Sequence, residues 1–187
     1  MHIPKQAKRV FKGVIFDVYQ WQQKMYDNSY TTFEMLKRPD TVQIIAITPN
    51  NKILIAKQKQ PQYKNYFYSI FGGRVDPGES PLQAAKRELL EEAGYESNDW
   101  ELITTKALYH KIEWTMYNYV ARNCRQTKKQ ALDKGEKIKV LKLNFAEFEK
   151  IFLLDSFRSQ DIALDILRLT KQGKLGQFKQ KLFKTKK

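Results

Sequence analysis

The chain has 187 residues, with 34 Lys+Arg against 20 Asp+Glu, and a formal charge of +14. That length suits one domain of about 150 residues with an elaboration, and 42% hydrophobic with 13% aromatic residues excludes a disordered chain. The single cysteine Cys124 excludes an internal disulfide framework and a cysteine-rich zinc site, His2 and His110 leave little for a histidine metal centre, and no run of about 18 apolar residues offers a membrane span.

In chain order, Met1–Lys12 is basic without an apolar signal region, so a cytoplasmic location is expected. The β-like stretches Val14–Val18 and Tyr30–Leu36, joined by the polar Lys24–Ser29, predict a small N-terminal sheet. Arg38-Pro39-Asp40 predicts a turn and a boundary. Thr41–Thr48 and Ile53–Lys57 are β-branched runs separated by Pro49-Asn50-Asn51-Lys52, a hairpin pattern, and Tyr66–Phe71 is an aromatic strand ending at Gly72-Gly73. Ser80 as N-cap, Pro81 at the first turn, Gln83 completing a capping box and Gly94 as the stop predict a helix from Pro81 to about Ala93. Glu101–Lys111, Thr115–Arg122 and Lys137–Leu143 predict strands, and Phe145–Leu153 and Asp161–Thr170 predict helices. Strands with few helices point to a mixed α/β sandwich rather than an all-parallel sheet.

The charge is unevenly divided. Ile166–Lys187 holds eight basic residues and no acidic one, a net +8. Arg122–Lys142 holds eight basic residues against Asp133 and Glu136, a net +6. Gly72–Asp99 runs the other way, with three basic residues against seven acidic, a net −4. Basic runs suit phosphate-bearing partners, nucleic acid included. The acidic island calls for its own explanation.

On the Pro81–Ala93 helix, Glu88, Glu91 and Glu92 fall within an arc of roughly 100°, beside a core stripe of Leu82, Ala85, Leu89 and Ala93. Carboxylates in the C-terminal half of a helix oppose the macrodipole, and like charges at this spacing repel. One reading is a solvated acidic face with weak surface pairs. The other is a site for Mg²⁺, which takes hard oxygen ligands from a few carboxylates together with substrate phosphates.

The full pattern is Gly73-x5-Glu79-x7-Arg87-Glu88-Leu89-x-Glu91-Glu92-x-Gly94-Tyr95. It resembles the Nudix box at every specified position, with Leu89 and Tyr95 in its two hydrophobic slots. The resemblance implies a Nudix-type α/β/α sandwich with a mixed sheet plus a small N-terminal β-sheet extension. It also implies hydrolysis of a nucleoside diphosphate linked to another moiety, with Mg²⁺ or Mn²⁺. Carried onto this sequence, the implied metal ligands are Glu88, Glu91 and Glu92, with Gly72 offering a carbonyl. Glu79 pairs with Arg87 to brace the loop and reaches metal through water. Glu91, Glu92 and Arg87 are thus also implied in catalysis.

Beyond the box, Phe11–Val18, Val42–Ile47 and Leu132-Asp133-Lys134-Gly135-Glu136 are similar to segments of the ADP-ribose pyrophosphatase subfamily. The last makes Glu136 a candidate base or water-positioning group, and alternatively a turn residue. Departures are Ser69-Ile70-Phe71-Gly72-Gly73 in place of Glu-Leu-Pro-Ala-Gly, Gln58-Lys59-Gln60 in place of Gln-x-Arg, and no proline near Tyr109 and His110. Tyr19, Lys59, Arg74 and His110 are the candidate substrate contacts; Tyr19 and His110 are equally packing residues, and Trp114 and Tyr117 share that ambiguity.

The expected organisation is an N-terminal extension over 1–38, a hydrolase domain over 39–172 and a basic tail over 173–187. ADP-ribose or another nucleotide sugar is the leading substrate, with a homodimer expected by analogy. The alternative is a Nudix enzyme acting on nucleoside triphosphates or RNA 5′ ends through the tail. No membrane partner is expected.

Overall fold

The structure, a computed structural model, describes residues 2–107 and 109–184. Strands β1 (Lys8–Lys12), β2 (Asp17–Lys24) and β3 (Tyr30–Lys37) come first, then β4 (Thr41–Ile47), β5 (Ile53–Lys59) and β6 (Phe67–Ser69). Helix α1 (Pro81–Ala93) follows, then β7 (Tyr95–Glu96), β8 (Asp99–Lys106), β9 (Ile112–Glu113), β10 (Met116–Arg122), β11 (Arg125–Gln126) and β12 (Lys137–Leu143). Helices α2 (Phe145–Phe152), α3 (Gln160–Lys171) and α4 (Leu175–Phe183) end the chain.

The central sheet runs β12-β5-β4-β10-β8, with β6 against β5. It is mixed, since β10 lies parallel to β4 and antiparallel to β8. Period-two alternation gives it two buried faces. Val42, Ile44, Ala46, Leu54 and Ala56 pack on Ala84, Ala85 and Leu89 of α1. Ile45, Ile47, Ile53 and Ile55 pack on Phe148, Phe152, Ile162 and Ile166 of α2 and α3. The fold is an α/β/α sandwich. A separate sheet, β1-β2-β3-β9, carries the N-terminal strands.

Helix α1 forms where its local signals place it. Ser80 and Gln83 exchange both capping-box bonds, and Gly94 closes the helix in the left-handed conformation at φ 76°. Elsewhere three expectations are corrected. Val14–Phe16 is a loop rather than a strand, closed by Gly13 N–H donating to Phe16 O at 3.0 Å, with Val14 96% exposed; pairing with β3 starts at Asp17. Strand β8 ends at Lys106, and within the expected range to Lys111 Leu108 lies outside the described residues.

The segment expected to be a basic tail folds as α4, because Leu175, Phe178 and Leu182 make an apolar stripe that packs on the α3 side of the core, Leu182 fully buried. Arg122, 3% exposed, holds α4 in place by donating to the carbonyls of Lys181 and Leu182 while pairing with Asp99 and Glu101. Lys186 and Lys187 of the basic run lie outside the described residues.

Candidate active site

Arg87 organises the acidic island. Its Nε and Nη2 donate to Glu79 at 2.8 and 3.0 Å as a two-pronged fork, and Nη2 also donates to Arg74 O at 2.9 Å. Its Nη1 donates to Glu88 Oε1 at 2.9 Å and to Glu91 Oε2 at 3.0 Å. One guanidinium therefore ties the loop before α1 to the exposed side of the helix. The same contacts hold the Glu79 carboxyl below its ordinary range, and drive the arginine's own proton loss further out of reach.

The glycine pair brings the sheet against these carboxylates. Gly72 N–H donates to Glu92 Oε2 at 3.0 Å, and Val42 N–H donates to Gly73 O at 2.9 Å. A Cβ on Gly72 would lie 2.1 Å from Val42 O, and one on Gly73 would lie 2.2 Å from Glu88 Oε1. At Gly72, where the clash is with backbone and φ is 150°, only glycine lets the loop sit this close; at Gly73 a side chain would displace the Glu88 carboxylate. Glu92 is 7% exposed and among the described residues its carboxylate accepts from that one amide alone, so burial pushes its pKa up to about 8. Burial also raises Glu88, against the opposing pull of Arg87.

Glu136 is brought to the same place by backbone anchoring. Thr127 N–H donates to Gly94 O at 3.0 Å, Ala131 N–H to Glu91 O at 2.9 Å and the Gln130 side chain to Glu92 O at 2.5 Å. The loop after β11 is thereby laid along the end of α1. Glu136 lies close enough to Glu88 and Glu92 for its charge to raise both. Its own carboxyl is raised by burial first, then by Asp133 and Glu91. It also closes a turn with Asp133, its N–H donating to Asp133 O at 2.9 Å. Both readings of Glu136, turn residue and member of the acidic group, describe one geometry.

Among the described residues no three carboxylates are drawn into a ready-made metal cage. Arg87 Nη1 stands between Glu88 and Glu91, a cationic group where two carboxylates face each other. The donor set still fits a hard divalent ion: all oxygen, one member buried with a single amide partner, and one resting against a glycine α-carbon.

Beside the glycine pair opens a cavity of ≈ 270 Å³, lined by Gln43, Gln58, Gly72, Gly73, Trp114 and Arg158. Trp114 stacks on Tyr109 with 5.8 Å between centroids, and the Arg38 guanidinium lies 4.6 Å over its ring. Arg38 Nε is buried without a hydrogen-bond partner among the described residues, and burial and the nearby charge of Arg74 both lower its pKa. Neither arginine carries a side-chain ion pair among the described residues, and the Arg74 backbone carbonyl lies against Arg87 of the acidic group. A larger hollow of ≈ 710 Å³ on the outer side of α1 is lined by none of Glu88, Glu91 and Glu92.

The other expected contacts lie apart. Tyr19 is on β2 opposite Met35 of the N-terminal sheet. His110 borders a hollow with Phe33 and Met35 on that same sheet. Lys59 is at the end of β5 opposite Lys137, 5.9 Å from the Tyr66 ring. Arg38 and Arg158 went unnoticed in the sequence; for Arg38 the only signal was its place in the turn that joins the two sheets. Burial pushes the Cys124 thiol up to about 12, so it is inert.

A NUDIX domain model matches residues 37–164. The chain belongs to the Nudix family. A similar relative is the ADP-ribose pyrophosphatase of Bacillus subtilis (strain 168), 30% identical over 97 residues, which are 52% of each chain. The methanol dehydrogenase activator of Bacillus methanolicus is 27% identical over 143 residues, 75% of this chain and 77% of that one. The ADP-ribose pyrophosphatase of Mycobacterium tuberculosis (strain ATCC 25618 / H37Rv) is 29% identical over 98 residues, 52% of this Nudix chain and 47% of that relative. The alignments thus span about half the length of the two pyrophosphatases. A solved structure of an ADP compounds hydrolase superposes with a TM-score of 0.72 at 20% identity, covering 91% of this chain and 95% of that one, and shares the fold.

Proposed function

We propose that this Nudix protein hydrolyses the pyrophosphate linkage of a nucleoside diphosphate joined to another moiety, ADP-ribose or another nucleotide sugar. The observation that carries the reading is the juxtaposition of two opposite charge groups. Glu88 and Glu92 lie against the Gly72-Gly73 loop with Glu91 and Glu136 near them, and close by are Arg74 and Arg38, which make no side-chain ion pair among the described residues. A substrate with a doubly charged pyrophosphate and a flat or ring-shaped appendage meets both groups and the Trp114-lined cavity.

Glu88, Glu91 and Glu92 would hold Mg²⁺ or Mn²⁺, which supplies neutralisation of phosphate charge and a water made acidic enough to attack. Arg38 and Arg74 bind non-bridging phosphate oxygens, and the cavity that Trp114 lines receives the appendage. Glu136 takes the proton of the attacking water on a carboxylate oxygen, and its raised pKa makes it a better base than an ordinary carboxylate. Arg87 positions Glu79, Glu88 and Glu91 without touching the reacting atoms. Water is consumed, and a nucleoside monophosphate and a phosphorylated second moiety are released.

Exposed Val10, Phe11, Ile15 and Tyr30 on and beside the N-terminal sheet support a homodimer through that sheet, which sedimentation at several concentrations tests. The RNA reading has lost part of its motive, since Lys181 pairs with Glu101 at 3.0 Å and Lys179 lies 4.0 Å over the Phe145 ring. A panel of ADP-ribose, ADP-glucose, GDP-mannose, NADH and diadenosine polyphosphates with Mg²⁺, run beside nucleoside triphosphates and capped RNA, tests the substrate class. Turnover of at least one sugar nucleotide is expected. Cleavage only of nucleoside triphosphates or capped RNA would overturn it.

A further inference from the structure

Strand β5 turns from apolar to basic along its length. Ile53 and Ile55 face the α2–α3 layer of the core, and the next residues on that side of the strand are Lys57 and Lys59. On the neighbouring strand β12 the same switch runs in reverse. Lys137 and Lys139 come first, then Leu141 and Leu143, which pack on that layer. The register sets Lys137 opposite Lys59 and Lys139 opposite Lys57. The four lysines therefore form a two-by-two array on one face, with β-carbons about 5 Å apart across the strands and about 7 Å apart along them.

Like charges directly opposite each other destabilise a strand pair, and the chain does nothing to relieve them. None of the four side chains makes an ion pair or a hydrogen bond among the described residues. Lysine on an edge strand guards against stray pairing, which accounts for Lys137 and Lys139, since β12 is an edge of the central sheet. It does not account for Lys57 and Lys59, because β5 lies inside the sheet between β12 and β4. Charges held together at a cost, without counter-charges from the chain, call for an anion from outside.

Aromatic rings stand among these lysines. Lys57 Nζ lies 5.4 Å from the Tyr66 ring centre and 5.9 Å from that of Tyr68, and Lys59 Nζ lies 5.9 Å from Tyr66. The stretch 57–68 holds three lysines and no acidic residue. Within it Tyr63 and Tyr66 are 39% and 50% exposed. A ligand of phosphate alone has no use for that ring surface, whereas a nucleobase covers it. Cations interleaved with exposed rings are the makeup of surfaces that bind single-stranded nucleic acid.

We propose that the lysine array of β5 and β12, with Tyr66 beside it, binds a single strand of nucleic acid. The surface is independent of the carboxylate group on α1 and of the pyrophosphatase reading.

Fluorescence anisotropy of a labelled oligouridylate of about twelve nucleotides, titrated with the full chain in EDTA, tests it without calling on the metal site. Binding should saturate and weaken with salt, with a slope of log K on log salt of roughly −3 for four lysines. Lys57→Gln combined with Lys139→Gln should weaken it at least tenfold and remove about half of that slope. If that pair of substitutions costs the fold, Lys59→Gln with Lys137→Gln reads the same loss from the neighbouring row. Tyr66→Ala should weaken binding about fivefold. Lys171→Gln with Lys174→Gln, at the end of α3 and just before α4, should change neither affinity nor slope. Absence of binding at low salt overturns the proposal. So does an equal loss from the Lys171 and Lys174 pair, or tighter binding of inorganic polyphosphate or phosphatidylglycerol vesicles that Tyr66→Ala leaves unchanged.

Discussion

Glu92→Gln should separate stability from activity. In the protein without divalent cation, burial moves the Glu92 pKa from 4.5 to about 8. Between those values the folded chain keeps a proton that the unfolded chain has released, so stability is highest below the unfolded pKa and falls as pH rises through the window to about 8. Taken to pH 7, the shift amounts to a penalty of about 3 kcal/mol. Glutamine is nearly the same shape, keeps an oxygen to accept from Gly72 N–H, and never ionises. Its buried NH₂ group costs about 1–2 kcal/mol if unpaired, which leaves a net gain on the order of 1–2 kcal/mol and a rise in Tm of roughly 2–6 °C.

Catalysis should move the opposite way, since loss of a metal-binding carboxylate costs several kcal/mol of transition-state stabilisation, a rate drop of about 10³-fold or more. The assay is thermal unfolding in EDTA at pH 6, 7 and 8, repeated with Mg²⁺, beside steady-state turnover of ADP-ribose. The variant should melt higher than wild type in EDTA, by a margin that grows with pH, and should gain less than wild type from Mg²⁺. A variant that melts lower at every pH, or that keeps activity within a few-fold, refutes the assignment of Glu92.

Three further outcomes are expected. Glu136→Gln should lower kcat by about 10²–10⁴-fold with KM and Tm little changed, as loss of a general base does; an equal rise in KM would make Glu136 a binding or turn residue. Arg38→Ala should raise KM for ADP-ribose by about tenfold, the worth of one charge-assisted hydrogen bond, with kcat nearly kept. Arg122→Met should destabilise by about 3 kcal/mol, because it takes the guanidinium from the buried Asp99 carboxylate, the part-exposed Glu101 and two α4 carbonyls. Hydrogen exchange should then show Leu175–Phe183 opening first, and uniform loss of protection would refute the latch.

Helix α1 was legible because every signal that defines it is local: Ser80, Pro81, Gln83 and Gly94 act within a turn of where they stand. Strand β12 was legible for a similar reason, a β-rich run bounded by turn residues. Strands β7, β9 and β11 have two residues each and exist only through their partners, Arg125 opposite Glu96 and Leu36 opposite Ile112, which no local pattern encodes. Helix α4 was hidden by charge: its lysines read as a solvated tail while Leu175, Phe178 and Leu182, three and four apart, carried a helical stripe. Arg122 misled in the same way, counted in a basic run suited to phosphate-bearing partners but buried by the fold. In the site, the α1 glutamates followed from spacing. The approach of Glu136 depended on the backbone bonds from the loop after β11, and the Arg38–Trp114 stack on the pairing of β3 with β9.

The central claim is that the acidic group, loaded with a divalent cation, splits the pyrophosphate of a nucleotide sugar. Its most direct test is product analysis of wild-type protein incubated with ADP-ribose, with Mg²⁺ and then with excess EDTA. AMP and ribose 5-phosphate in equal amounts are expected with Mg²⁺, and neither after chelation. Intact ADP-ribose with Mg²⁺ or Mn²⁺, or AMP release that persists in EDTA, would contradict it.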